Sequence, residues 1–339
     1  MSNSGLHAAR AKDSDRWGFI STSGKFTVPP QFSRVTEFNE GLALAQVEQA
    51  WGVIDTQGKW QVSPHLHFGS VRAFCNGLAA VEESDSELWG FINTDGTLVI
   101  EPQYTWVSDF SEGRAFVKDD EVNPAFAVEG SYDLIDRQGQ QITQLNHYDF
   151  DPMAPEWSFS HGRLGVRGAP DPKLVNAIDI IEGRIYWGFI DRSGHLAIPV
   201  QFKWVHPFSE GLAAVRTQDN RVGFIDVSGK MTISARFDNA SSFSQGLAAV
   251  EVEHQWGYIN QTGEVVIEPD YELVDEFSEG LAAVQLGDRW GFIDRAGSVV
   301  IAPQFEAASS FRGGLARVKV NEQKYYIDRQ GQVIRELTD

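Results

Sequence analysis

The feature that most narrows what this chain can become is a signature that returns along its length in one fixed phase. Six pairs, Trp17-Gly18, Trp51-Gly52, Trp89-Gly90, Trp187-Gly188, Trp256-Gly257 and Trp290-Gly291, each open a segment of the form WGFID or a near relative. Three degenerate copies, Tyr132 to Asp136, Val222 to Asp226 and Tyr325 to Asp328, complete nine starts. Towards the C-terminus the starts fall at 187, 222, 256, 290 and 325, a period of 34 or 35 residues. A second signature, F-S-x-G-L-A-x-V, keeps step with the first. Its Phe and Gly recur as Phe38/Gly41, Phe74/Gly77, Phe110/Gly113, Phe159/Gly162, Phe208/Gly211, Phe243/Gly246, Phe277/Gly280 and Phe311/Gly314. Two motifs in one register define a tandem array, in which each unit buries its apolar surface against its neighbours.

Within WGFID, alternation places Trp290, Phe292 and Asp294 on one face and Gly291 and Ile293 on the other, the period of a strand. Apolar residues on both faces imply a strand covered on both sides. The last position, Ser21, Asp55, Asn93, Asp136, Asp191, Asp226, Asn260, Asp294 or Asp328, always precedes a Gly by three residues. That spacing is turn chemistry: a short side-chain acceptor for nearby N–H groups, then a residue free to take positive φ. WGFID should therefore form a hairpin with the segment after it, and the Leu281 to Val284 strand should form another with the strand of Trp290. Each repeat is expected to be a three-strand meander or hairpin pair. The stretch from Pro303-Gln304-Phe305 through Phe311 is expected to cross to the next one, because proline suits no central strand.

A period of 34 residues is short for a four-stranded propeller blade. The expected fold is therefore all-β, an open solenoid or superhelix, with a closed propeller-like ring as the alternative. The organisation reads as a polar N-terminal tail (1–16), N-terminal repeats (17–131), a degenerate repeat with insertions (132–186) and C-terminal repeats (187–339).

With WGFID, the following Gly, V-I-x-P and F-x-E-G-L-A-x-V in place, the chain resembles the bacterial WG-repeat, or KWG-repeat, family over residues 17 to 339. The match is strong in the copies that begin at Trp187, Trp256 and Trp290, and weak in the one at Tyr132. The resemblance implies a repeat architecture that serves interactions and is not tied to one activity.

The formal charge of −19 and pI near 4.8 disfavour nucleic acid and anionic lipid, and favour a basic protein surface. Residues 1 to 16 lack the apolar run of a secretory signal, no stretch reads as a membrane helix, and the single Cys75 forms no internal disulfide. A cytoplasmic location is expected. The acids recur once per repeat at turn positions instead of converging, so no catalytic residue is assigned. His65 and His67 offer two ligands where zinc wants three or four, and no phosphate loop is present; no metal and no cofactor are expected.

The expected function is a non-enzymatic scaffold for a basic protein partner. One concrete version is an acidic antitoxin or immunity protein that masks a toxin's basic surface. The alternative is a carbohydrate or cell-wall binding module that stacks sugars on exposed tryptophans. The period breaks between Trp89 and Trp187, where the segment 147–186 carries insertions that stacking does not require. Its acids and aromatics suit a contact surface, and the candidate partner-binding residues are Asp149, Asp151, Glu156, Trp157, Asp171, Lys173, Asp179 and Glu182.

Overall fold

The structure is a computed structural model that describes residues 5–11, 14–118, 132–145, 158–168 and 186–337. Among these residues there are nine small antiparallel sheets, one for each start of the repeat. The first four belong to one compact unit and the other five to a second.

The eighth sheet shows the plan. Leu281–Leu286 pairs with Arg289–Asp294, which pairs with Val299–Phe305, as the two hairpins require. A fourth strand of two residues, Leu273–Val274, lies on the far side of Leu281–Leu286. The repeat is thus a four-stranded, blade-type sheet and not a three-strand meander. The fourth strand takes two residues, so 34 residues suffice, and the length argument for an open solenoid loses its ground. Nor does Pro303 cross between sheets: it lies in Val299–Phe305, the sheet's edge strand, where its missing N–H costs no ladder bond. A single residue, Glu306, then leads into the next short strand, Ala307–Ala308.

The first sheet corrects the N-terminal reading. His7–Arg10 pairs with Trp17–Ile20, His7 opposite Ile20 and Arg10 opposite Trp17. Leu281–Leu286 meets its own partner in the same register, so Gly5-Leu6-His7-Ala8-Ala9 stands where other repeats have Gly-Leu-Ala-x-Val. His7–Arg10 is therefore a strand of the array and not part of a tail.

The Gly of each Trp-Gly pair has a steric reason. Trp290 pairs with Phe305 and Phe292 with Ile301, so three residues, Ala302 to Gln304, bulge opposite the single Gly291. A Cβ on Gly291 would lie 2.6 Å from the Ile301 carbonyl oxygen and 2.7 Å from the Pro303 nitrogen. On Gly90 it would lie 2.4 Å from the Ile100 oxygen. Asp133 and Tyr325 occupy the glycine position in the fourth and ninth sheets, and there the bulge is absent: Asp133 pairs with Gln144 and Tyr325 with Glu336, one for one. The partner strands Gln141–Leu145 and Val333–Leu337 contain no proline either.

Neighbouring sheets within each unit pack face to face. Phe292, Ile301 and Phe305 of the eighth sheet share a core with Phe311, Ala316, Val318 and Ile327 of the ninth, while Ile293 points the other way, into the core shared with Tyr258 and Phe277. The aromatic of WGFID meets the Phe of the next F-S-x-G at these seams, except where Val53 takes its place and packs with Phe74. Centroid distances are 4.8 Å for Phe91–Phe110 and Phe189–Phe208, 4.9 Å for Phe224–Phe243 and Phe292–Phe311, and 4.7 Å for Tyr258–Phe277. Each pair adds about 0.5–1.5 kcal/mol beyond the burial of its area.

Candidate functional site

The F-S-x-G segment is a hairpin tip. Glu279 (φ 52°) and Gly280 (φ 83°) both take the left-handed conformation that a two-residue type I′ turn demands, and Ser278 and Leu281 close it through both backbone bonds. A left-handed Glu carries strain of about 1–3 kcal/mol. Bonds to the next sheet offset it. Glu279 Oε2 accepts from Gly314 N at 2.8 Å, and Ser278 Oγ donates to the Phe311 carbonyl at 2.6 Å.

The same pair of bonds recurs from tip to tip. Glu40 accepts from Asn76 N and Gly77 N, Asn76 from Gly113 N, Glu210 from Gly246 N, and Gln245 from Gly280 N. Ser209 and Ser244 donate to the Phe243 and Phe277 carbonyls, each at 2.6 Å. The acid in this motif therefore caps the following sheet's turn. The Asp of WGFID caps its own: Asp294 Oδ1 accepts from Ala296 N and Ser298 N, each at 2.9 Å.

Against this constant frame, the two residues between the short strand and F-S-x-G vary from copy to copy: Thr36-Glu37, Arg72-Ala73, Ser108-Asp109, His206-Pro207, Ser241-Ser242, Asp275-Glu276 and Ser309-Ser310. The short strands vary too. The seventh sheet has Asn239–Ala240 where its neighbours have Trp204–Val205 and Leu273–Val274. Two small residues between two bulky pairs leave a groove of about 350 Å³, lined by Trp204, His206, Ser241, Trp256, Asp275 and Glu276 with Asn239, Ala240, Ala249 and Val274.

The groove is built firmly. Asp275 Oδ2 accepts from Ser310 N at 3.1 Å and from Ser310 Oγ at 2.5 Å, its Oδ1 accepts from Glu276 N at 2.9 Å, and Tyr258 Oη donates to its carbonyl at 2.8 Å. These bonds fix the backbone that presents Glu276. On the opposite wall the rings of Trp204 and His206 meet edge to face at 4.0 Å. Burial pushes the His206 imidazole down to about 4, against a hydrogen bond with the Ala240 backbone, so it is neutral at pH 7. Burial, and then the Asp275 charge, push the Glu276 carboxyl up, while a backbone bond from Ser242 partly restrains it. No lysine or arginine lines the groove. Arg216, which reaches Asn239 Oδ1 at 3.2 Å, also bonds the carbonyls of Asn220 and Asp238, each at 3.0 Å.

The residues chosen from sequence, Asp149, Asp151, Glu156, Trp157, Asp171, Lys173, Asp179 and Glu182, all lie outside the described residues. Sequence reading missed the groove because it looked where the period breaks. The available signal was a change inside regular copies, the small pair Asn239–Ala240 flanked by His206 and Asp275. The tryptophans of the Trp-Gly pairs do not form an exposed row: Trp51 is 2% exposed, and Trp17, Trp89, Trp187, Trp256 and Trp290 are partly buried against the cores between sheets. His65 bonds the Ser63 carbonyl at 2.7 Å, and no group of three potential metal ligands occurs among the described residues.

Nine small antiparallel sheets built on one motif define a tandem β-sheet repeat protein. The chain belongs to the WG-containing repeat family, which matches residues 17–49, 51–85, 89–121, 187–221, 223–253, 256–290 and 290–325. No curated protein matches the chain. Among solved structures, a eukaryotic initiation factor is similar at 12% identity over 97% of this chain and 94% of that one, with a TM-score of 0.60. BamB from Moraxella catarrhalis is similar at 12% identity over 88% and 94%, with a TM-score of 0.41. The first of these likenesses is one of fold alone.

Proposed function

We propose that this protein is a non-enzymatic scaffold that holds a basic protein partner, and that its sheets close into a propeller-type ring. The observation that carries the first part is the groove at Asn239–Ala240, which has aromatic walls, two carboxylates and no cation in its lining. It sits on a chain of net charge −19, whose field attracts basic surfaces and repels phosphate backbones and anionic lipid. The other acids of the repeat are committed to turns and to bonds between sheets, so they support a frame and not a reaction.

The ring is supported by the four-stranded, blade-type sheets. Small-angle scattering tests it. A compact chain of this length has a radius of gyration of about 20 Å, whereas an open stack of sheets about 10 Å apart would give about 30 Å. The larger value would rule out closure.

Affinity capture from the cells that make the protein tests the scaffold reading. The expected result is a basic protein, released as salt is raised and retained poorly by a Glu276→Gln bait. Repeated capture of acidic proteins alone, or of none, would contradict it.

A further inference from the structure

The chemistry of the groove goes further than a preference for positive charge. Its carboxylate, Glu276, stands on a backbone fixed by Tyr258 and Ser310, so little order has to be imposed when a ligand arrives. Its lining includes two indoles, Trp204 and Trp256, and indole faces are the best aromatic partners for a cation. Its remaining polar side chains are engaged within the protein: Asn239 Oδ1 accepts from Arg216 and from Ala240 N, and Ser241 Oγ accepts from Ala249 N. A planar cation with several N–H donors matches the carboxylate and the indoles, because it can lie on an aromatic face while its edge donates to a carboxylate. The volume of about 350 Å³ is at the small end for a ligand site, the scale of one side chain and not of an extended chain.

We propose that the groove between the sixth and eighth sheets receives a single arginine side chain of the partner, with Glu276 as its counter-charge and the Trp204 and Trp256 indoles as its stacking surface. This rests on the basic-partner reading above and adds the residue class that is recognised. The groove then acts as the anchor of the interface, and the chain's net charge of −19 supplies orientation and rate of encounter.

The test is fluorine NMR of the full chain labelled with 5-fluorotryptophan, with the Trp204 signal assigned by Trp204→Phe. Three probes are titrated: acetyl-Gly-Arg-Gly-amide, the same peptide with citrulline, and chitopentaose. The arginine peptide should shift the Trp204 signal saturably, the neutral citrulline peptide should bind at least tenfold more weakly, and Glu276→Gln should weaken the arginine peptide about tenfold. Glu276→Gln keeps the side chain's size and removes only its charge, and its thermal midpoint is measured beside wild type to check the fold. Equal binding of arginine and citrulline would overturn the proposal, as would a Trp204 response to chitopentaose with none to arginine. If a basic partner is captured equally by wild type and Glu276→Gln, the pocket falls and the scaffold reading stands. If the arginine peptide binds as expected but no basic partner is ever captured, the pocket stands and the scaffold reading falls.

Discussion

Gly291 shows how an absent side chain can set a whole strand's path. Its missing Cβ admits the bulge of Ala302 to Gln304, and that bulge places Pro303 on an edge where no ladder bond is lost. Gly291→Ala must push backbone atoms apart at 2.6 Å, which no side-chain rotation relieves; a loss of about 1–3 kcal/mol is expected, read as a lower denaturant midpoint. His206 gives a pH signature. Its folded value of about 4 lies below the ordinary 6.5, so between these values the unfolded chain binds the extra proton. Stability from this group is therefore full above pH 6.5 and is lost as pH falls towards 4, by on the order of 3 kcal/mol. Glu276, pushed upward, contributes in the opposite sense: its stabilisation is present at low pH and fades as pH rises through its folded value. Urea midpoints between pH 7 and 4 for wild type and His206→Ser, the residue that the next copy carries as Ser241, should separate the two, with the variant losing less on acidification.

At the scale of elements, the tips are tied by a ladder of bonds from each sheet to the next. Glu279→Ala should cost about 1–3 kcal/mol by freeing the Gly314 N–H, whereas Glu279→Gln should be close to neutral, because Gln245 already fills the same role towards Gly280. Amide exchange at Gly314 reports it directly: faster in the Ala variant, unchanged in the Gln variant. This ladder explains why the acid recurs, a fact visible in the sequence as repetition but not as a contact, since its partner lies 35 residues away. The longer strands were legible because Trp-Gly-Phe-Ile-Asp and Gly-Leu-Ala-x-Val carry alternation and turn chemistry. The short strands were not: Arg34–Val35, Trp204–Val205, Asn239–Ala240 and Ala307–Ala308 share no residue type at the first position and are too brief to show a period. Missing them made the repeat look too short for four strands. The strand His7–Arg10 was hidden in a similar way, because Ala9 stands where the motif has Val.

At the scale of the whole molecule, the repeat separates two jobs. Residues that recur make turns, seams and ties, and a deviation from them makes the groove. The sequence pointed to an interaction protein with a negative surface, but it could not show that two small residues in one short strand leave space between bulky neighbours, because that is a difference between sheets in contact. The proposed binding site is this space. Asn239→Leu together with Ala240→Val writes the next sheet's own pair, Leu273–Val274, into the seventh sheet and fills the groove with residues the repeat already accommodates. Calorimetry of the filled variant against the captured basic partner, alongside its thermal midpoint, is the most direct measurement. The filled variant should keep a midpoint near wild type and lose affinity at least tenfold; wild-type affinity in the filled, folded variant would rule the groove out as the site.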